Sequence, residues 1–154
     1  MKRLLVLLGS LALLPPAFAA GNHTKGAEPA HISMGEAVEL SDYLVPGKTT
    51  IFDFTSKYCG PCQAYTQPLA LLHAQHADIA VVKVDINRPD VKGIDWKSPV
   101  AQQYHLQSIP QFRVYGPGGK LVAEDHLVYD AGARKMTGEQ PAREMVDRLT
   151  GRLK

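Results

Sequence analysis

The chain has 154 residues, 45% of them hydrophobic and 21% charged, a balance that fits one globular domain and excludes a disordered or repetitive polypeptide. Of its 17 Lys and Arg residues, Lys2 and Arg3 supply the whole formal excess of +2; the 15 that remain face 15 Asp and Glu. A body so near neutrality is not expected to bind nucleic acid or an anionic membrane through bulk charge.

Residues 1–19 read as a cleaved signal peptide. Met1-Lys2-Arg3 is a positive start, Leu4 to Leu14 is an apolar run broken only by Gly9 and Ser10, and Ala17-Phe18-Ala19 is a small-x-small cleavage pattern. The run is too short to span a bilayer and Pro15-Pro16 ends it, so no stable membrane insertion is expected after cleavage. A periplasmic or secreted location is expected, where disulfides persist. Residues 20–30 are polar and aperiodic and read as a flexible lead-in. Asn22-His23-Thr24 fits a glycosylation acceptor, a pattern too short to carry weight in that context.

A single domain is expected over 31–154. Met34, Ala37, Val38, Leu40, Tyr43 and Leu44 recur at helical spacing, and Ser33 would cap that helix before Pro46-Gly47 ends it. Lys48 to Thr55 reads as a strand covered on both faces, being β-branched or aromatic almost throughout. Asp53 interrupts it: either it lies on an exposed face or pairs with Lys83, or it is a buried proton acceptor with a raised pKa behind the cysteines. The strand leads into Tyr58-Cys59-Gly60-Pro61-Cys62, which holds the only two cysteines, with a helix beginning inside the pair and continuing to about His76. Pro68 is expected to kink or break that helix.

Ile79 to Val84 reads as a second buried strand and Asp85 to Asp95 as a loop. Ser98-Pro99 is a cap and first-turn proline for a helix over Val100 to Tyr104. Gln111 to Tyr115 and Lys120 to Glu124 form a hairpin across Gly116-Pro117-Gly118-Gly119, and Arg143 to Leu153 closes the chain as an amphipathic helix. This succession predicts an α/β fold, a central mixed β-sheet flanked by helices.

The cysteine pair is the strongest chemical signal. A bridge between Cys59 and Cys62 closes so small a loop that it stabilises by only about 2 kcal/mol on the entropy model, a weak reason for this spacing. A thiol at the start of a helix is held as thiolate by the positive end of the helix dipole, so Cys59 is expected to be acidic, exposed and nucleophilic. Cys62, three residues on, is placed to resolve a mixed disulfide. A metal site would need two more ligands; His73, His76 and His105 lack the spacing, and His73 and His76 are expected on the solvent side of their helix. No metal and no cofactor are expected beyond the cysteine pair itself.

Asp53-Phe54, Tyr58-Cys59-Gly60-Pro61-Cys62, Ser108-Ile109-Pro110 before a strand and Gly118-Gly119-Lys120 in the hairpin occur in the order and spacing of the thioredoxin family, which the chain resembles from Lys48 to its last helix. The resemblance implies a thioredoxin fold, Cys59 as attacking thiol, Cys62 as resolving thiol and Asp53 as a buried carboxylate relaying the Cys62 proton. It also implies a cis Ile109-Pro110 bond facing the cysteines, with Tyr58, Gly60, Pro61, Ile109 and Pro110 as the substrate-binding surface and the Ile109 backbone pairing with a bound strand. Lys83 falls where the family often has a lysine near the buried Asp.

Three departures bear on partners. Tyr58 stands where the family usually has tryptophan, Gln111 replaces a small hydroxyl residue after the proline, and Asp90 to Ser98 exceeds the family's shortest loops; Trp96 in that loop is expected to pack on the core. The function expected is a thiol-disulfide oxidoreductase, mainly reducing protein disulfides and recharged by a membrane thiol donor, as a monomer. Gly-Pro between the cysteines resembles the reducing members. The alternatives are an oxidase or isomerase on the same fold, or a redox-inactive binding module.

Overall fold

The structure, a computed structural model, describes residues 28–153. The expected leader, most of the lead-in and Asn22 lie outside the described residues. Among the described residues no helix is long and apolar enough to cross a membrane.

Five strands form the main sheet: β1 (Ala30–Met34), β2 (Thr49–Thr55), β3 (Ile79–Asp85), β4 (Gln111–Tyr115) and β5 (Leu121–Glu124), in the order β1-β3-β2-β4-β5. β3 runs parallel to both β1 and β2, while β4 is antiparallel to β2 and to β5. The sheet is therefore mixed, as the succession of elements predicts. β2 and β3 are interior and almost wholly buried, which their largely apolar runs, interrupted at Asp53 and Lys83, favour.

Side chains of a strand alternate between faces, and the two faces build two cores. Phe52, Phe54, Val82 and Val84 point to one side, where they meet Val38, Leu40, Val100 and Leu106. Ile51, Ile79, Val81, Phe112 and Val114 point to the other, where they meet Tyr65, Leu69 and Leu72 of α1 (Gly60–Gln75) and Ala142 and Val146 of α3 (Pro141–Leu149). The short α2 (Pro99–Gln103) covers the first side; Ser98 caps it, its side chain accepting from Ala101 N, with Pro99 opening the first turn. Trp96 is half-buried against this core, as expected.

The elements depart from the sequence reading in three places. The helix expected from Ser33 to Leu44 is β1 followed by a 3-10 turn at Leu40–Tyr43. Gly35 at φ +96 ends the strand in a conformation a helix cannot use, and Ser33 turns its hydroxyl to Gly35 N instead of capping a helix. The stretch between β5 and α3, which the sequence leaves unassigned, is a separate hairpin of β6 (His126–Asp130) and β7 (Lys135–Glu139). α1 is also unbroken at Pro68. Proline leaves the carbonyl four residues back without its helical donor, and here that carbonyl, Ala64 O, accepts from Arg152 Nη1 at 2.9 Å. Arg152 stacks over Tyr65 as well, so the end of the chain closes the gap that Pro68 opens.

Candidate active site

β2 ends at Thr55, and the chain turns through Ser56 to Cys59, with Cys59 N donating to Ser56 O at 3.0 Å. Cys59 is the N-cap of α1, with extended backbone angles, and Pro61 lies in the first turn, where a missing N–H costs nothing. The Cys62 N–H, one of the unpaired donors of that first turn, points at Cys59 Sγ from 3.2 Å. Cys59 and Cys62 form a disulfide, their Cα atoms 5.3 Å apart.

Cys59 is not exposed as expected: only 2% of its surface is accessible, and 1% of that of Cys62. Its sulfur is bonded to that of Cys62 and lies 3.5 Å from the Ile109 carbonyl oxygen, so neighbours occupy its open sides in the oxidised state. The rim around it is accessible. Tyr58 is 40% exposed with Lys57 Nζ over its ring, and Gly60 and Pro61 are exposed. A Cβ on Gly60 would meet nothing within 4 Å, so the glycine keeps the rim low.

The Ile109–Pro110 peptide bond is cis. Ile109 is half-buried and Pro110 buried, directly ahead of β4. Their position is fixed from behind by α3: Arg143 Nη2 donates to Pro110 O at 2.7 Å, while Arg143 N donates to Asp125 Oδ1 at 2.9 Å. Asp125 Oδ2 accepts from Phe112 N, and Gln111, buried where a small hydroxyl residue is usual, donates its side-chain amide to Asp125 O. Burial pushes the Asp125 carboxyl up despite these bonds.

Asp53 is buried, 2% exposed, and shares the face of Ile51, the face α1 covers. Lys83 is its register partner on β3 and lies on the same face. The reading of Asp53 as lying on an exposed face is therefore corrected: the carboxylate is buried, with Lys83 as its register neighbour. No ion pair joins them among the described residues, and Asp53 Oδ1 has no hydrogen-bond partner. Desolvation raises the Asp53 pKa to about 7, with the Lys83 charge pulling against it.

Of the two helix histidines, His76 faces solvent as expected and His73 does not. His73 is buried, not solvent-facing, and its Nδ1 accepts from Val81 N at 3.0 Å. β1 begins opposite Val82, so Val81 lies just short of the stretch of β3 that β1 covers, and an imidazole from α1 takes its N–H. His76 and His105 are exposed. Among the described residues no three His, Cys, Asp or Glu side chains converge as a metal site.

Three residues that shape the site, Ser56, Asn87 and Arg143, have no local sequence signal. Ser56 bonds Asn87 across 31 positions, and Arg143 reaches Pro110 across 33. Only the unusual Gln111 and the long loop after β3 mark their neighbourhoods in the sequence.

A family profile described as Thioredoxin matches residues 38–138. Among characterised proteins, Thioredoxin-2 of Pyricularia oryzae is 30% identical over 58% of this chain and 47% of its own length. A Thioredoxin H-type of Fagopyrum esculentum is 32% identical over 58% of this chain and 65% of its own. The chain thus spans about half to two thirds of these relatives' length. Of solved structures, thioredoxin f2 of Chlamydomonas reinhardtii superposes with a TM-score of 0.50 at 20% identity, covering 80% of this chain and 95% of that one, a likeness of fold.

Proposed function

Because this chain belongs to the thioredoxin family and has its fold, we propose that it is a thiol-disulfide oxidoreductase that mainly reduces protein disulfides. The observation that carries the proposal is the placement of Cys59 as N-cap of α1 with the Cys62 N–H aimed at its sulfur. In the reduced protein the same N–H and the helix dipole stabilise a thiolate over a thiol.

The exchange then balances in two steps. The Cys59 thiolate attacks one sulfur of a substrate disulfide, forming a mixed disulfide and releasing the other sulfur as thiolate. Cys62, deprotonated, attacks Cys59 Sγ, and the second substrate sulfur leaves; two electrons pass to the substrate and the protein keeps the Cys59–Cys62 bridge. Asp53 is the proposed acceptor of the Cys62 proton: it lies on the face under α1, has a free oxygen and titrates near neutrality. Tyr58, Gly60, Pro61 and the Ile109 backbone form the proposed contact surface, Pro110 its rigid edge. A second dithiol must return the protein to its reduced form, and a membrane thiol donor is the proposed source. That donor belongs with a periplasmic or secreted domain, the location we propose from the leader-like residues 1–19.

The test is a trap. Cys62→Ser removes the resolving sulfur, so it is expected to accumulate mixed disulfides at Cys59 with proteins of its native compartment, seen as dithiothreitol-sensitive bands on non-reducing gels. If no such adduct forms, protein disulfides are not its substrates.

A further inference from the structure

We propose that Asn87 is a positioning residue for Cys59, acting through Ser56, so that the segment after β3 sets the reactivity of the attacking thiol. The inference rests on the thiol-exchange function proposed above and adds a residue to it.

Ser56 is 1% exposed and holds the cysteine turn from two atoms. Its main-chain oxygen accepts from Cys59 N at 3.0 Å and from Gln63 Nε2 at 3.2 Å, tying the turn to the first turn of α1. Its hydroxyl oxygen accepts from Tyr58 N at 3.1 Å. A serine hydroxyl rotates to suit its partners, and giving its single proton to a fixed acceptor sets that rotation and leaves a lone pair toward the Tyr58 N–H. Asn87 Oδ1 is that acceptor.

Asn87 is itself immobilised. It is 4% exposed; Nδ2 donates to Gly93 O, the main-chain N donates to Asp85 Oδ1 at 2.9 Å, and Oδ1 also accepts from Asp95 N at 3.4 Å. The donation to Gly93 O fixes the amide with its oxygen toward Ser56. Asp95 is locked in turn by two bonds from the Arg88 guanidinium, 2.7 and 3.2 Å long, which hold its carboxyl below the usual range. Gly35, at φ +96, packs so closely on the loop that a Cβ would lie 2.6 Å from Arg88 N. The loop's bonds thus hold one amide, the amide orients one hydroxyl, and the hydroxyl holds the turn that places Cys59 Sγ under the Cys62 N–H. Neither Ser56 nor Asn87 titrates. The charged groups near the pair in the chain are Lys57 and Asp53 on the β2 side, Asp85 at the end of β3, and the Arg88–Asp95 pair of the loop; neither truncation removes any of these charges.

The experiment measures iodoacetamide alkylation of Cys59 against pH in the reduced full chain, with Cys59 and Cys62 distinguished by mass spectrometry. Ser56→Ala and Asn87→Ala are each expected to slow alkylation at pH 7 about fivefold and move the profile to higher pH, the equivalent of about 1 kcal/mol for one net hydrogen bond. Because both act through the same contact, the double variant should be no slower than either single one. Val146→Ala, which opens the core under α3 and destabilises the domain, should leave the profile where it was, separating positioning from general loss of stability. A depressed wild-type profile that both variants leave unmoved, or effects that add in the double variant, would overturn the positioning role while leaving the proposed function intact. A wild-type Cys59 that titrates like free cysteine would overturn the proposed function itself. Should Asn87→Ala fail to fold, Ser56→Ala, which removes one oxygen, decides alone.

Discussion

At the scale of single residues the site depends on a carboxyl that folding makes hard to ionise. Asp53 is buried and has only the Lys83 charge beside it to favour the ionised form, so its pKa rises from 3.8 to about 7. Between about pH 4 and pH 7 the folded state keeps a proton that the unfolded chain has lost, so Asp53 contributes stability that is present below pH 4 and lost as pH climbs through 7. Asp53→Asn, which cannot ionise, is expected to be more stable than the wild type at pH 8 by on the order of a few kcal/mol and nearly equal to it at pH 4. Thermal melts at the two pH values check this; a difference independent of pH would show that burial does not perturb the carboxyl. The same variant removes the proposed proton acceptor, so resolution by Cys62 should slow while stability rises. The two cysteines are legible in the sequence because the turn, the cap and the helix start lie within one short run. Asp53 is only partly legible, because its face is set by β3 and α1, which only the assembled sheet supplies. The burial of Cys59 is hidden from the sequence for a related reason: Ile109 covers it from 50 positions away.

Elements, in this chain, are held at their ends by distant groups. Asp125, after β5, reaches both β4 and the start of α3, accepting from Phe112 N and Arg143 N. α3 has no side-chain cap of its own at Gln140, so this borrowed carboxylate takes the role. Asp125→Ala leaves the buried Phe112 N–H and the partly buried Arg143 N–H without their acceptor and is expected to cost about 2 kcal/mol. The urea midpoint should fall with no change in slope; an unchanged midpoint would mean that water replaces the carboxylate. Because Arg143 also holds Pro110 O, the loss should be felt at the cis-proline edge. Elements with a strong local period, β2, β3, α1 and α3, can be read from sequence to within a few residues. β1 cannot, since its register comes from β3 and its five residues AHISM do not alternate cleanly. The apolar spacing from Met34 to Leu44 imitates a helix, but Val38 points into the core from irregular chain and Leu40 from a single 3-10 turn. Hairpin β6–β7 leaves no trace in the sequence because its side chains are mostly exposed, with no buried face to impose a pattern.

For the molecule as a whole, one sheet with two cores places the cysteine turn, the cis-proline and the loop after β3 at the same end. β2 delivers the turn, β3 delivers Asn87 just beyond its last residue, and the segment ahead of β4 delivers Ile109. The β6–β7 hairpin is anchored to that end as well: Tyr129 N donates to Gln107 Oε1 at 2.9 Å, two residues before Ile109. The fold, and the motifs from which the chemistry is proposed, are within reach of the sequence because those motifs are local; the supports of the site are not, because each spans tens of residues. The most direct measurement of the central claim, that Cys59 and Cys62 together pass electrons to protein disulfides, is the reduction of insulin by dithiothreitol with catalytic amounts of this protein, monitored by turbidity. Precipitation is expected to run well ahead of the dithiothreitol background with the wild-type chain and at background with Cys59→Ser. Wild-type protein that leaves the rate at background would contradict the account.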